Sequence, residues 1–141
     1  MASCRQTAQV LVTAYNSYTL ENMMDVRSSD CINYILPHSL GQKPMDNEQY
    51  MAWIAPRLPL FRNFTLTVHD TVVDEAARKV VLHMTSTAST DLGDYHNEYM
   101  LKLHMTEDRR KVDKFEEFVD SGYSSKVMKE LLEHQSRKSS L

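Results

Sequence analysis

The sequence predicts an α+β fold in which a curved antiparallel sheet packs against helices from the N-terminal half. Apolar residues first recur with the 3.6-residue period of an amphipathic helix and, from residue 64 onward, with the two-residue period of a strand. Short polar turns separate the strands, which favours antiparallel neighbours. Such a sheet, closed on one side by helices, has the shape of a cone and encloses a pocket, where we expect the functional site.

Two helices are predicted at the start of the chain. Ser3 and Gln6 have the spacing of a capping box, and an apolar stripe follows, which predicts a helix near residues 4–18. Thr19 caps a second, shorter helix, and the polar run at residues 27–30 is predicted to interrupt regular secondary structure after it.

A short strand and a third helix come next. Residues 31–36 are rich in β-forming side chains, and Pro37 ends this predicted strand. Asp46 and Gln49 form another capping box at the start of a helix that Pro56 limits, because proline has no backbone N–H to donate.

The second half of the chain predicts an antiparallel meander and a closing helix. Alternation of apolar and polar residues begins at Phe64, and the last helix is expected after Ser124. The meander is expected to contain a strand from residue 64 to the turn at 74–78, and further strands at 79–89, 95–105 and 111–119.

Composition and charge restrict the class of protein. The 141 residues are 42% apolar and 25% charged, which is typical of one packed domain, expected at 1–135 with a disordered tail at 136–141. The formal net charge is -3 with no basic face, so neither nucleic acid nor a membrane is expected as partner. No run approaches the roughly 20 apolar residues that cross a bilayer, no secretion signal is evident, and a cytoplasmic protein is expected.

Polar residues on the apolar stripes of the last two strands are candidates for chemistry. Tyr95, Asn97 and Tyr99 lie on the inner stripe of one strand, and Glu117 lies on the inner stripe of the next. Burial raises the pKa of a carboxyl group, which suits Glu117 to proton transfer, and phenols can stabilise charge on a carbonyl oxygen. Arg27 is a candidate counter-charge for such an oxygen.

Each of these residues also has a purely structural interpretation. Paired strand tyrosines are more often core residues with a satisfied hydroxyl group. Glu117 is equally well interpreted as a structural partner of Arg27, which by itself is most often a surface or capping residue.

A metal site or a bound cofactor is not expected. The histidines lack the spacing of metal ligands, and neither a glycine-rich phosphate loop nor a nucleophile motif is present. His38, in the loop after the first strand, and Trp53, on the apolar face of the third helix, are retained as candidates for the pocket wall. Nine methionines favour an adaptable pocket for a bulky apolar ligand.

Three segments carry a resemblance to a known family. Residues 95–99 (YHNEY), 115–123 (FEEFVDSGY) and 27–31 (RSSDC) resemble the small fungal SnoaL-like proteins of the nuclear-transport-factor-2-like (NTF2-like) superfamily. The chain is especially similar to the cofactor-free isomerases of fungal meroterpenoid pathways and to the semipinacolase of spiroindoxyl alkaloid pathways. The resemblance implies a cone-shaped fold, a homodimer, and acid/base isomerisation of a bulky hydrophobic, polycyclic substrate.

The resemblance also assigns residues. It implies that Arg27, Tyr95, Tyr99 and Glu117 are catalytic. Asp91, at a strand turn, is a further acidic candidate, and we expect it to contact substrate together with Asn97, His38 and Trp53. An isomerase is therefore the expected activity. A lyase or dehydratase, or a protein that binds a hydrophobic metabolite without reaction, remains the alternative, because this superfamily has members without activity.

Overall fold

The protein, described by a computed structural model over residues 2–140, consists of helices packed against one five-stranded sheet. The helices are α1 (Cys4–Ser17), α2 (Leu20–Asp25), α3 (Asn47–Ile54) and α4 (Ser121–Ser139). The strands are β1 (Arg27–Leu36), β2 (Arg62–Asp74), β3 (Lys79–Thr90), β4 (Gly93–Met105) and β5 (Val112–Val119). Short 3₁₀ turns at His38–Leu40 and Leu58–Leu60 flank α3. The predicted α+β class and its cone-like form are confirmed.

The sheet is mixed, which corrects the prediction of an antiparallel sheet. Its strand order is β1-β5-β4-β3-β2, and β2 to β5 form the expected meander. However, β1 runs parallel to β5. A parallel pair needs a long connection, and here the chain returns only after α3 and three further strands.

The first strand is also longer than predicted. It begins at Arg27, within the segment predicted to break the chain, and its pairing with β5 is irregular between Arg27 and Ile32. The side chain of Asn47, at the start of α3, donates to the carbonyl oxygens of Ser28 at 2.8 Å and Ser29 at 3.3 Å. A polar edge segment is thus held extended by side-chain hydrogen bonds instead of by apolar packing.

The helix starts confirm most of the capping predictions. In α1, Gln6 N–H donates to Ser3 Oγ at 3.1 Å, and Ser3 N–H donates to Gln6 Oε1 at 3.0 Å. Asp46 and Gln49 make the same reciprocal pair at α3, and that helix ends at Ile54, just before Pro56.

The last helix is longer at both ends than predicted. It begins at Ser121, because the Asp120 side chain accepts a hydrogen bond from Tyr123 N–H at 3.3 Å. It continues to Ser139, where the sequence predicts a disordered tail, and position 141 lies outside the described residues. Lys138 near its end contacts Asp91 at 3.2 Å, and basic residues there complement the helix dipole. Within residues 2–140, no helix is long and apolar enough to cross a membrane.

The hydrophobic core fills the space between α1 and the sheet. Leu11 of α1 packs in one cluster with Val80, Leu103 and Val112 of β3, β4 and β5, and all four are at most 1% exposed. The inner stripe predicted for β4 is confirmed, because Tyr95, Asn97, Leu101, Leu103 and Met105 are buried there.

Candidate active site

A cavity of about 400 Å³ lies between the inner face of the sheet and the helices. This volume falls in the usual range for small-molecule sites, and mostly apolar side chains line it. Its polar aromatic lining consists of Tyr15, Tyr18, Tyr50, Trp53, Tyr95 and Tyr99. The pocket predicted from the fold class is therefore present.

Glu117 is the acidic side chain of the cavity wall. Its neighbours in register are apolar, Ile35 on β1 and Leu101 on β4. The carboxyl group makes no hydrogen bond or ion pair with any of residues 2–140, so nothing in that part of the chain compensates its charge. Burial raises its pKa from 4.5 to about 7. Both protonation states are accordingly populated near neutral pH, as proton transfer requires.

The strand tyrosines belong to one hydrogen-bond network. The hydroxyl of Tyr99 lies 2.7 Å from Ser86 Oγ and 3.5 Å from the hydroxyl of Tyr95. Asn97 Nδ2 donates to the Tyr95 oxygen at 2.7 Å and to Ser124 Oγ at 2.6 Å. Because Tyr95 accepts from Asn97, its own proton is available to Tyr99 or to a guest in the cavity.

The hydroxyl groups of these two tyrosines stay protonated at neutral pH. Burial is the main cause that raises the pKa of Tyr95 and of Tyr99, and the nearby Glu117 carboxylate raises both further. They can therefore donate hydrogen bonds to an oxygen on which negative charge develops.

A second phenol pair lies on the helical side of the cavity. The hydroxyls of Tyr15, on α1, and Tyr50, on α3, are 2.7 Å apart. Burial raises the pKa of Tyr15 to about 12 and that of Tyr50 well above its usual value, and Glu117 raises both further. This pair is not among the residues predicted from the sequence, because both tyrosines fit the apolar stripes of their helices. The available signal was that a buried phenol needs a hydrogen-bond partner.

Arg27 lies behind the cavity wall, which corrects the expectation that it faces the substrate. Its side chain is buried, and Nε donates to Asn47 Oδ1 at 2.7 Å. The guanidinium lies over the ring of Tyr50, 4.2 Å from its centre, and 4.9 Å from the centre of Phe115. Its Nη1 and Nη2 atoms have no hydrogen-bond partner among residues 2–140. Arg27 therefore acts on the cavity through Tyr50, whose pKa it lowers against the larger effect of burial.

The arginine that lines the cavity is Arg57, which sequence analysis did not select. Its guanidinium lies 4.3 Å from the centre of the Trp53 ring, and Nη1 donates to the Trp53 carbonyl oxygen at 2.6 Å. Nε is buried without a partner among residues 2–140, and burial lowers the pKa of the group. The spacing of four residues between an aromatic and an arginine was the signal for this contact.

The structure divides the four residues expected to bind substrate into two groups. Asn97 and Trp53 line the cavity as predicted. His38 is exposed in the turn after Pro37 and lies outside it. Asp91 is also outside, in the β3–β4 turn, where Lys138 at 3.2 Å and Arg62 at 3.0 Å hold its pKa below the usual range. The last two expectations are corrected because both residues occupy exposed turn positions, and in the first of these turns Leu40, not His38, lines the cavity.

Residues 2–140 contain no cluster of three or more histidine, cysteine or acidic side chains that could hold a metal ion. Cys4 and Cys31 are buried free thiols, and neither lines the cavity. The polar groups that line the cavity are one carboxyl, several phenols and carboxamides, the Trp53 indole, the hydroxyls of Ser124 and Ser125, the Arg57 guanidinium and the Lys129 ammonium. Such groups can bind a guest molecule, orient it and exchange protons with it.

Comparison with known proteins places the chain in a family. No family model matches it. "Austinoid biosynthesis clusters protein F" of Penicillium brasilianum is 31% identical over 118 residues, which is 82% of this chain and 78% of that protein. The chain belongs to the SnoaL-like, NTF2-like family. The resemblance carried by residues 27–31, 95–99 and 115–123 is thus confirmed.

Two further relatives differ in the activity that their names give. The crystal structure of BvnE pinacolase from Penicillium brevicompactum superposes with a TM-score of 0.84 at 30% identity, covering 92% of this chain and 93% of that one. A Claviceps purpurea protein named monooxygenase is 26% identical over 117 residues, covering 83% of this chain and 74% of its own length. The relatives that this chain resembles therefore carry different activity names.

Proposed function

We propose that the protein is a cofactor-independent isomerase of secondary metabolism that rearranges the skeleton or a ring of a polycyclic, meroterpenoid-type intermediate by acid/base catalysis. The observation that carries the proposal is Glu117, which faces an apolar cavity lined by two phenol pairs and whose carboxyl group has no hydrogen-bond or ionic partner among residues 2–140. The relatives named for an austinoid cluster and for a pinacolase support the substrate class and the type of reaction.

The groups around the cavity suit a proton transfer that leaves the substrate formula unchanged. The Glu117 carboxylate takes a proton from a carbon beside a carbonyl group, and the C–H electron pair shifts to give an enolate. Tyr99 and Tyr95 donate hydrogen bonds to the enolate oxygen. The protonated Glu117 then returns the proton to a different atom, or to the product of a bond migration, which completes an isomerisation.

The electrostatics of the cavity favour this step near neutral pH. A carboxyl group with a pKa of about 7 is half ionised there and is a stronger base than an exposed glutamate. The phenols remain neutral, so they are donors throughout the reaction. The apolar lining keeps water from competing for the enolate oxygen.

The test compares the metabolites of a fungal host that expresses the gene together with its neighbouring biosynthetic genes. The wild-type protein is expected to convert one intermediate into an isomer of the same mass. A host that expresses Glu117→Gln in place of the wild type is expected to accumulate that intermediate. The matched control is Glu116→Gln, since Glu116 is the adjacent residue on the outer face, where it pairs with His104 at 2.6 Å, and its loss leaves the cavity unchanged.

Product mass separates the proposal from its alternatives. A product lighter by one water molecule identifies a dehydratase. A product heavier by one oxygen atom identifies an oxygenase, the activity named for the Claviceps relative. A metabolite that is bound and returned unchanged identifies a carrier. Full activity of Glu117→Gln would remove the residue from the mechanism.

A further inference from the structure

Asn33 is a buried polar residue of the cavity wall to which the proposed mechanism gives no role. Its side chain lies on the inner face of β1 and is 4% exposed. Its backbone N–H donates to Met45 O at 2.8 Å, and its backbone carbonyl accepts from Met45 N–H at 3.0 Å. The backbone of this residue is therefore satisfied by the isolated bridge to Met45.

The carboxamide of Asn33, in contrast, is unsatisfied. Its Oδ1 atom is buried and has no hydrogen-bond partner among residues 2–140. A buried polar group without a partner costs about 1–3 kcal/mol. An apolar residue of similar shape would avoid this cost, so the amide is expected to have a partner that enters the cavity.

The register of the sheet places Asn33 beside Glu117. Asn33 pairs with Phe115, and Ile35 pairs with Glu117, so Asn33 and Glu117 are diagonal neighbours on the same face of adjacent strands. Strand separation and residue rise put their Cα atoms about 8 Å apart. One guest molecule can consequently contact both side chains.

We infer that Asn33 is a substrate-recognition residue whose carboxamide binds a hydroxyl or enol group that the guest carries near the carbon acted on by Glu117. This inference rests on the proposed function and deepens it, because it specifies a hydroxylated polycyclic ketone as the substrate class. A hydroxyl group can donate to Oδ1 and accept from Nδ2 of the same amide, which neither a plain ketone nor a hydrocarbon can do. A guest without such a group leaves Oδ1 unpaired and binds less tightly.

The experiment uses small probes that the cavity can hold, namely cyclohexanone and 2-hydroxycyclohexanone. Each is titrated into ¹⁵N-labelled full-length protein, and binding is followed by two-dimensional NMR. The side-chain NH₂ resonance of Asn33 is assigned from triple-resonance spectra of the ¹³C,¹⁵N-labelled wild-type protein. Wild-type protein is expected to bind the hydroxyketone about three- to tenfold more tightly than the ketone, with a shift of the Asn33 NH₂ signal.

The variants make the result specific. Asn33→Leu is expected to bind both probes with equal affinity and to keep or raise the thermal midpoint, because it removes an unsatisfied polar group. Asn22→Leu is the matched control, since the same change on the exposed part of α2 leaves the hydroxyl preference intact.

Four outcomes would overturn the inference. Equal binding of both probes by the wild type, or a hydroxyl preference that persists in Asn33→Leu with a lowered thermal midpoint, assigns Asn33 a structural role while the cavity remains a binding site. The Asn33 NH₂ signal decides the matter if the leucine variant does not fold, because an unmoved signal contradicts the inference. Failure of both probes to bind would instead remove the cavity as a guest site and with it the proposed function.

Discussion

At the scale of single residues, Glu117 lowers stability at the pH at which it is charged. Its pKa is about 7 in the folded protein and near 4.5 when unfolded, so between these values the folded state binds more protons. The free energy of unfolding consequently falls as the pH rises from about 4.5 to 7. The neighbouring Glu116 has the opposite sign. Burial is the largest single influence and raises its pKa, but the contacts with His104, Lys102 and Lys114 together exceed it, so the pKa lies below its usual value.

The first prediction concerns the stability of Glu117→Gln. The variant is expected to be more stable than the wild type at pH 8 by on the order of 3 kcal/mol, and nearly equal to it at pH 4. Urea denaturation at both pH values measures the difference. Glu116→Gln should instead lose stability at pH 8, and a destabilised Glu117→Gln at that pH would show that the carboxylate has a stabilising partner.

The second prediction concerns the pH dependence of activity. If the Glu117 carboxylate is the base, kcat/KM rises about tenfold per pH unit below 7 and reaches a plateau above it. Steady-state rates between pH 5.5 and 8.5 test this once a substrate is in hand. A profile that is flat across this interval would contradict a base with the pKa of Glu117.

At the scale of secondary-structure elements, the start of α3 holds the start of β1. Asn47 accepts from Arg27 Nε at 2.7 Å and donates to the carbonyls of Ser28 and Ser29. One carboxamide thus orders a polar strand end and holds the guanidinium that underlies Tyr50.

The third prediction follows from these hydrogen bonds. Asn47→Ala is expected to lower the free energy of unfolding by about 1–3 kcal/mol, because it leaves the buried Nε of Arg27 without a partner. Chemical denaturation measures the loss. The adjacent and exposed Glu48→Ala should change stability by no more than about 0.5 kcal/mol. An equal effect of the two substitutions would mean that the Asn47 side chain does not hold β1.

Elements whose ends are marked by local chemistry were predictable from the sequence. The capping boxes at Ser3 and Asp46 and the alternation of β2 to β5 depend on residues close in sequence. The extended start of β1 and the C-terminal extension of α4 have distant partners, Asn47 in one case and Asp91 in the other. No local pattern encodes those contacts.

The same distinction applies to the site. Glu117, Tyr95, Asn97 and Tyr99 were predictable because they interrupt the apolar stripes of adjacent strands. The Tyr15–Tyr50 pair, Arg57 and the unsatisfied amide of Asn33 became visible only when helices and sheet were brought together. Arg27 is the opposite case. Its residue type suits a site that stabilises negative charge, but the ring of Tyr50 separates its guanidinium from the cavity.

At the scale of the whole molecule, an apolar pair is exposed on the outer face of the sheet. Met100 on β4 and Phe118 on β5 are neighbours in register, and they are 47% and 51% exposed. Adjacent exposed apolar residues on a sheet often mark a protein contact. The homodimer expected from the family resemblance would cover this pair in both copies if the two sheets face each other.

The fourth prediction tests that arrangement. Phe118→Asp is expected to convert a dimer into a monomer, because a two-fold contact brings the two introduced charges together. Size-exclusion chromatography with light scattering gives the mass. Val10→Asp is the control and should stay dimeric, because Val10 is 57% exposed on α1, and α1 packs against the opposite, inner face of the sheet. A wild-type monomer, or a dimeric Phe118→Asp, would rule out this interface.

The position of Trp53 has a practical consequence. It is the single tryptophan of the sequence, and its indole forms part of the cavity wall beneath the Arg57 guanidinium. Fluorescence excited at wavelengths that tryptophan absorbs and tyrosine does not therefore comes from Trp53, which borders the space that a guest would occupy. The molecule carries its own optical reporter, so a library of unlabelled metabolites can be screened for occupancy before any reaction is known.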